Sequence, residues 1–305
     1  MNILVTGVTG FVGSRLVPRL QRDGHELRGF ARSAPPPELG IEIVRGDAVT
    51  GRGLDEALDG IDAAYYLIHS MEPGGGNRTF GVRERVAAEN FAREAERAGV
   101  VRIIYLGGLM PSCAPASPHL ASRHAVEELL LAAGPCSVAL RASIVIGAGS
   151  RSFRFLVRLV ERLPVLALPG WKDHRTRPID QRDVIEMLAR AATNDGACGR
   201  SLDIAGPDTV TYEELIDRIR DHMLIARPTL GLGPLTMTPI ASRIASVIAG
   251  EKPELIGPLM EGLGTDLLPR DDRAVELFHV RLHSLDAAIE RALREWENEE
   301  RLAAK

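Results

Sequence analysis

Two stretches of the chain carry residues whose types and spacing could do chemistry. The first is Thr6-Gly7-Val8-Thr9-Gly10-Phe11-Val12-Gly13, set between the apolar run Ile3-Leu4-Val5 and an amphipathic segment holding Val12, Leu16 and Leu20. Strand, glycine turn and helix in that order make a cradle for a dinucleotide phosphate. Gly7 permits the sharp turn out of the strand, Gly10 lets the backbone approach a pyrophosphate, and Gly13 lets the helix lie close on the sheet. The anion would rest on the N–H groups that open the helix, at the positive end of its dipole. The second stretch is His119-Leu120-Ala121-Ser122-Arg123. A spacing of four puts His119 and Arg123 on one helix face. Imidazole donates or accepts a proton near neutral pH, whereas a guanidinium stays charged and serves to hold a ribose or a phosphate.

Both stretches need a frame. Apolar runs at 27–31, 41–44, 63–68, 103–106 and 137–140 read as further strands, with helices at 54–58, about 83–98 and from Pro118 onward between them. Asp23-Gly24 ends the first helix, Pro18 predicts a kink or irregular turn inside it, and Ser117 caps the helix that Pro118 opens. Strands and helices that alternate in this way, joined by right-handed crossovers, give an α/β fold with a doubly wound parallel sheet. Beyond about Gly147 the alternation loosens into a small, mostly helical C-terminal lobe, with helices at 153–163 and 184–192 and a strand at 202–204. Thr211-Tyr212-Glu213-Glu214 is a capping box, and Ser284 opens a last helix whose far end, 294–301, reads as a charged solvated face. The expected division is a coenzyme-binding core over 1–149 and a substrate lobe over 150–305 that completes it, in one unit. Gly74-Gly75-Gly76 reads as a mobile lip. The apolar, proline-punctuated run from Leu230 to Ile248 reads as packed lobe; the alternative is an interface or membrane-surface contact, with 230–265 as the surface for a protein partner or a second copy of the chain.

The bulk properties narrow the class. The 305 residues are 45% hydrophobic and 26% charged, as in a folded globule, and a net charge of -4 argues against electrostatic nucleic-acid binding. Cys113, Cys136 and Cys198 stand far apart without a CxxC, which suggests neither a disulfide framework nor a zinc site. His279 and His283 sit four apart but lack a third ligand, so no metal is expected. No apolar run approaches the ~18 residues of a membrane span. The first strand begins almost at Met1, leaving no room for a signal peptide, so the cytoplasm is the expected address.

With the TGxxGxxG spacing stand the phrases Tyr66-Leu67-Ile68-His69-Ser70-Met71, Arg102-Ile103-Ile104-Tyr105-Leu106-Gly107-Gly108-Leu109 and His119-Leu120-Ala121-Ser122-Arg123. Together they resemble the short-chain dehydrogenase/reductase superfamily, in its extended and atypical branches, and a subgroup related to the NmrA-like proteins. The likeness is good from Met1 to about Ile219. It implies a Rossmann fold, NAD(P) binding and a C-terminal substrate lobe, with Thr9, Phe11 and Val12 joining the three glycines around the coenzyme. The superfamily's usual catalytic set is a serine after the fifth strand and YxxxK on the next helix. Here those positions read Gly107 or Gly108, and His119 with Arg123. On this resemblance Arg123 keeps the lysine's coenzyme-holding role, His119 is a candidate acid, and Tyr105 belongs to the core.

The second strand ends in Phe30-Ala31-Arg32-Ser33, without the acid that an NAD site places there for the ribose hydroxyls. Arg32 beside the Ser33 hydroxyl suits a 2′-phosphate, so NADP is expected ahead of NAD. Asp47-Ala48 resembles the family's adenine-contacting pair. Leu67, Ile68 and His69, with Gly107, lie at strand carboxyl ends, where ligands gather. The expected function is an NADP(H)-binding oxidoreductase that moves hydride to or from a small organic substrate with non-standard active-site residues. The alternative is a coenzyme sensor or assembly module without turnover.

Overall fold

The computed structural model describes residues 1–33, 39–68, 77–111, 117–163, 165–168, 170–231 and 262–299. Six parallel strands alternate with helices in the first half of the chain: β1 (Asn2–Thr6), β2 (Glu26–Ala31), β3 (Glu42–Arg45), β4 (Ala63–Tyr66), β5 (Arg102–Gly108) and β6 (Val138–Ala142). Short strands follow, β7 (Val145–Ile146), β8 (Leu166–Leu168), β9 (Arg175–Thr176) and β10 (Ile179–Asp180), and then β11 (Arg200–Ile204), which returns to pair with β6 as the seventh strand. The order across the sheet is β3-β2-β1-β4-β5-β6-β11. The winding order, not the strand direction, reverses between β1 and β4, and the crevice above their carboxyl ends is where such sheets take ligands.

Alternation along β1 shows why the sheet is covered on both sides. Ile3 and Val5 face one layer, which α1 (Gly13–Arg22) and α6 (Gln181–Ala191) cover with Leu16, Leu20, Val184 and Leu188. Leu4 faces the other, where α2 (Leu54–Leu58), α3 (Asn77–Arg97) and α4 (Pro118–Ala132) bring Leu54, Phe91, Val126 and Leu130. Period-two strands buried on both faces need helices on both. A separate apolar cluster holds the C-terminal lobe, where α5 (Arg151–Arg162) and α7 (Tyr212–His222) bury Phe153, Leu156, Val160 and Ile216. The short helix α8 (Arg273–Phe278) returns Ala274 and Phe278 to the sheet layer, and α9 (Leu285–Glu299) adds Ile289, Leu293 and Trp296 to the lobe.

The expected caps are present: the Ser117 hydroxyl accepts from Leu120 N at 3.3 Å, and Thr211 with Glu214 closes a capping box. α1 runs through Pro18 to Arg22 as one helix, so the lost backbone bond does not break it. Two expectations need correction. The far end of α9 is not wholly solvated, because Trp296 is fully buried, with the guanidinium carbons of Arg154 and Arg158 4.7 and 4.9 Å from its ring centroid. Cys136 and Cys198, distant in sequence, are joined in a disulfide, because parallel pairing of β6 with β11 brings together the loops that precede them. The glycine lip at 74–76 and most of 230–265 lie outside the described residues.

Candidate coenzyme and active site

The glycine run forms a tight turn between β1 and α1. Gly7 adopts φ +66°, and a Cβ there would stand 2.9 Å from the Leu67 carbonyl oxygen; one at Gly13 would overlap the carbonyl of Gly7. Side chains at these positions would run into backbone and force the turn away from β4 and the helix away from the turn. The Thr6 hydroxyl fixes the turn to the neighbouring strand, donating to Tyr65 O and accepting from Leu67 N, both at 2.9 Å. α1 opens at Val12 without a side-chain cap and without an acid in its first turn, so its leading N–H groups have no competing side-chain acceptor. Phe11 lies against Gly147 and Gly149, where a Cβ would approach its ring to 2.7 Å, and so docks the turn onto the segment after β7.

From this turn a cleft of about 780 Å³ runs both ways along the carboxyl ends of the strands. Gly7, Thr9, Gly10, Phe11, Val12 and Gly13 form its middle. One arm passes Arg32 and Ser33 at the end of β2, then Asp47 and Ala48 after β3. Asp47 shapes that loop by accepting from Val49 N at 2.8 Å. The other arm passes Leu67, Ile68 and Gly107 and reaches His119 and Arg123 on α4. Among the described residues, every position expected from the sequence lines this one cleft; His69 lies outside them.

The second arm differs in chemistry. Burial and the nearby Arg123 charge push His119 down to about 4, so its ring is neutral at neutral pH. The imidazolium that a proton-donating role requires is scarce there, and what remains is a neutral ring with one N–H donor. Arg123 Nη2 donates to Leu106 O at 2.8 Å, and the buried Tyr105 hydroxyl donates to Arg123 O at 3.3 Å. A Cβ on Gly108 would point toward Leu120 at 3.6 Å and Arg123 Nε at 4.0 Å, whereas one on Gly107 would meet the Tyr105 ring at 3.0 Å. Gly108 is thus the position from which a hydroxyl would face this arm.

Several positioning residues escaped the sequence reading. Asn90 on α3 donates to Ala48 O and Val49 O at 3.0 and 2.9 Å, holding the loop after β3. Glu84, also on α3 and almost wholly buried, accepts from the Ser122 hydroxyl at 2.9 Å; burial pushes its carboxyl up, while Arg123 and Ser122 pull it back. Arg141 on β6 and Glu127 on α4 form a buried bidentate pair at 2.6–3.0 Å, which fixes α4 against the sheet. The signal for this last pair was available: an arginine ends the apolar run Val138-Ala139-Leu140.

Comparison with known proteins gives the chain a family. A model of the NAD dependent epimerase/dehydratase family matches residues 3–205. The chain belongs to that family. It is an extended branch of the short-chain dehydrogenase/reductase superfamily. A ceramide reductase of Caulobacter vibrioides is 33% identical over 235 residues, covering 75% of this chain and 72% of that protein. A 2-alkyl-3-oxoalkanoate reductase of Stenotrophomonas maltophilia is 26% identical over 248 residues, 72% of this chain and 74% of that one. The solved structure of MoeE5 with UDP-glucose and NAD superposes with a TM-score of 0.71 over 98% of this chain and 99% of its own at 19% identity, a likeness of fold. Among the described residues no helix is long and apolar enough to cross a membrane.

Proposed function

We propose that the protein is an NADP(H)-dependent reductase of a ketone or aldehyde carried by a lipophilic small molecule. The observation that carries this reading is the single cleft in which the glycine turn, Arg32 and the His119–Arg123 face share one continuous wall. A dinucleotide fits what the chain offers. Gly7 and Gly13 let the turn lie tight against Leu67 and the start of α1, that turn lines the cleft at the helix's positive end, and Asp47 and Ala48 line the arm that would take the adenosine end. Arg32 and Ser33, exposed at the rim, give a 2′-phosphate a charged partner and a hydroxyl. Residues 1–149 hold the coenzyme in this reading, and 150–305 shape the substrate end.

When bound, the nicotinamide supplies the hydride that reduces the carbonyl carbon. Arg123 holds its ribose in place of the usual lysine. The neutral His119 ring donates a hydrogen bond to the carbonyl oxygen and stabilises the negative charge that develops there, without needing to be an imidazolium. Water supplies the proton. Leu120, Ile144 and Val145 line the far arm and suit an aliphatic body, in keeping with the ceramide and alkyl-oxoalkanoate named for the two relatives. Arg151, at the start of α5 and on the same wall, offers a partner to an anionic head group.

The test is oxidation of NADPH by the full-length protein with long-chain 3-oxo compounds, aldehydes, enones and quinones. Turnover that is saturable in the carbonyl compound and lowered in His119→Ala supports the reading. Saturable coenzyme binding without turnover on any of these would replace it with the sensor reading, which the Gly108, His119 and Arg123 departures favour. That second reading in turn requires a partner whose affinity differs between NADP and NADPH.

A further inference from the structure

At the edge of the sheet opposite the cleft, the amino-terminal ends of β5, β6 and β11 carry a second reactive group that the proposed chemistry does not use. Cys136, just before β6, is bonded to Cys198, just before β11. Arg102, the first residue of β5, reaches between them: its Nη2 stands 2.8 Å from Cys136 Sγ, 3.5 Å from Cys198 Sγ and 2.6 Å from Asp195 Oδ1. Its Nη1 donates to Ala191 O and Ala192 O at the end of α6, at 3.0 and 2.7 Å, so the cation stays anchored whatever the sulfurs do. Cys136 and Cys198 are each only half-buried, and the Asp195 side chain is 92% exposed. Backbone bonds from Gly199 N to Ser137 O and from Cys136 N to Val101 O hold both cysteine-bearing loops in place independently of the sulfur link.

We propose that Cys136 and Cys198 form a redox site that exchanges with a small thiol/disulfide couple in the folded protein, Arg102 stabilising the departing Cys136 thiolate. A positive charge beside a sulfur favours its thiolate and makes it the better leaving group. The shorter distance assigns that role to Cys136 and leaves Cys198 as the sulfur under attack. The steps balance. A small thiolate bonds to Cys198 Sγ, the Cys136–Cys198 bond breaks, and its electron pair leaves on Cys136 Sγ beside the guanidinium. A second small thiolate attacks the mixed disulfide at its non-protein sulfur and releases Cys198 as thiolate together with the small-molecule disulfide. Each cysteine then takes a proton from water; two electrons have passed from the small thiols to the protein.

The two sulfurs and the Asp195 carboxylate lie within 4.8 Å of one another, a set that could also hold a soft divalent cation. A guanidinium among the donors opposes that alternative, because it puts a positive charge where the metal's second shell would need acceptors.

The experiment incubates the full-length protein in buffers of reduced and oxidised glutathione, quenches with acid, alkylates the free thiols and maps the peptides. Circular dichroism and intact-protein zinc analysis run alongside. The proposal expects the Cys136–Cys198 link in the oxidised sample and its reversible opening with the circular dichroism unchanged. It also expects a transient glutathione adduct on Cys198. Asp195→Asn removes the counter-charge from an exposed side chain and should open roughly threefold faster; Arg102→Gln should open about tenfold slower, with Arg102→Lys recovering part of the rate. If Arg102→Gln does not fold, Asp195→Asn decides. Opening only on unfolding, an adduct confined to Cys136, an Asp195→Asn rate equal to the parent's, or one zinc ion retained per reduced chain would each overturn it.

Discussion

The middle of the cleft and the arm that ends at His119 and Arg123 are built from different materials. The glycine turn is made by backbone: Gly7 and Gly13 matter through the atoms they lack, and the walls they face are carbonyl groups. The His119–Arg123 arm is made by side chains on a helix, fixed from behind by Glu84, Ser122, Tyr105 and the Arg141–Glu127 pair. A backbone wall cannot yield without moving a strand or a helix, whereas a side-chain wall can be remade by substitution. On the proposed reading the glycine turn keeps the superfamily's pattern while His119 and Arg123 replace its usual pair, and this difference in material gives a physical reason for that contrast.

The largest effect is expected at the backbone turn. Gly13→Val would drive a branched side chain into the Gly7 carbonyl and should remove saturable coenzyme binding, a loss of roughly a thousandfold or more, read by calorimetry. Binding within tenfold of the parent would show that the turn does not hold the coenzyme. At the His119 arm, His119→Ala should lower kcat roughly 10- to 100-fold with KM changed less than threefold, the mark of an interaction made mainly in the transition state. A rate limb in the parent near pH 6.5 that this variant loses would contradict a ring that is neutral down to about pH 4. On the opposite arm Arg32→Ala should weaken NADP by roughly ten- to a hundredfold and NAD little, since one charge-assisted pair is at stake. Equal losses for the two coenzymes would end the NADP preference.

The His119 arm and the scaffold also part in their response to acid. His119 has its folded value lowered from 6.5 to about 4, so between those limits the unfolded chain binds the extra proton. Its contribution to stability is therefore complete above pH 6.5 and lost as pH falls toward 4. Glu186, held by Arg19 and Arg190 on the scaffold, is lowered from 4.5 to about 2, and its contribution is lost only over that lower range. Unfolding free energies of His119→Gln from urea titrations should be flatter than the parent's between pH 4 and 6.5, by of order 1–3 kcal/mol, and parallel to it below. Parallel curves throughout would mean that His119 is not held neutral.

What could be read from the sequence follows the same division. Ile3, Leu4 and Val5 declare a strand buried on both faces, the spacing of Gly7, Gly10 and Gly13 declares the turn, and Ser117 and Thr211 announce helix starts through local bonds. These signals are short-range, because each depends on neighbours within one or two turns. Trp296 beside Arg154, Cys136 beside Cys198, and Asn90 under the loop after β3 arise from contacts across 62 residues in the case of the disulfide, and no local period encodes them. His119 could be seen as a titratable residue on the right helix face, but the environment that makes it neutral is supplied by folding.

The smallest effect tests the side-chain arm most finely. The resemblance puts the superfamily's serine at Gly107 or Gly108, and the sequence does not choose between them. The structure separates them by direction. A Cβ on Gly108 meets only ordinary contacts, Leu120 at 3.6 Å and Arg123 at 4.0 Å, and the residue has no positive φ that would strain a serine. A Cβ on Gly107 meets the ring of Tyr105, a fully buried residue packed near Tyr66, at 3.0 Å, so the ring or the strand must give. Gly108→Ser should therefore change the unfolding free energy by less than about 1 kcal/mol and leave coenzyme affinity within about threefold, while Gly107→Ser should cost about 1–3 kcal/mol through overpacking. If the two costs were reversed, Gly107 would be the position that faces the cleft, and the hydroxyl of a restored serine would have to be sought on the Glu127 side of β5.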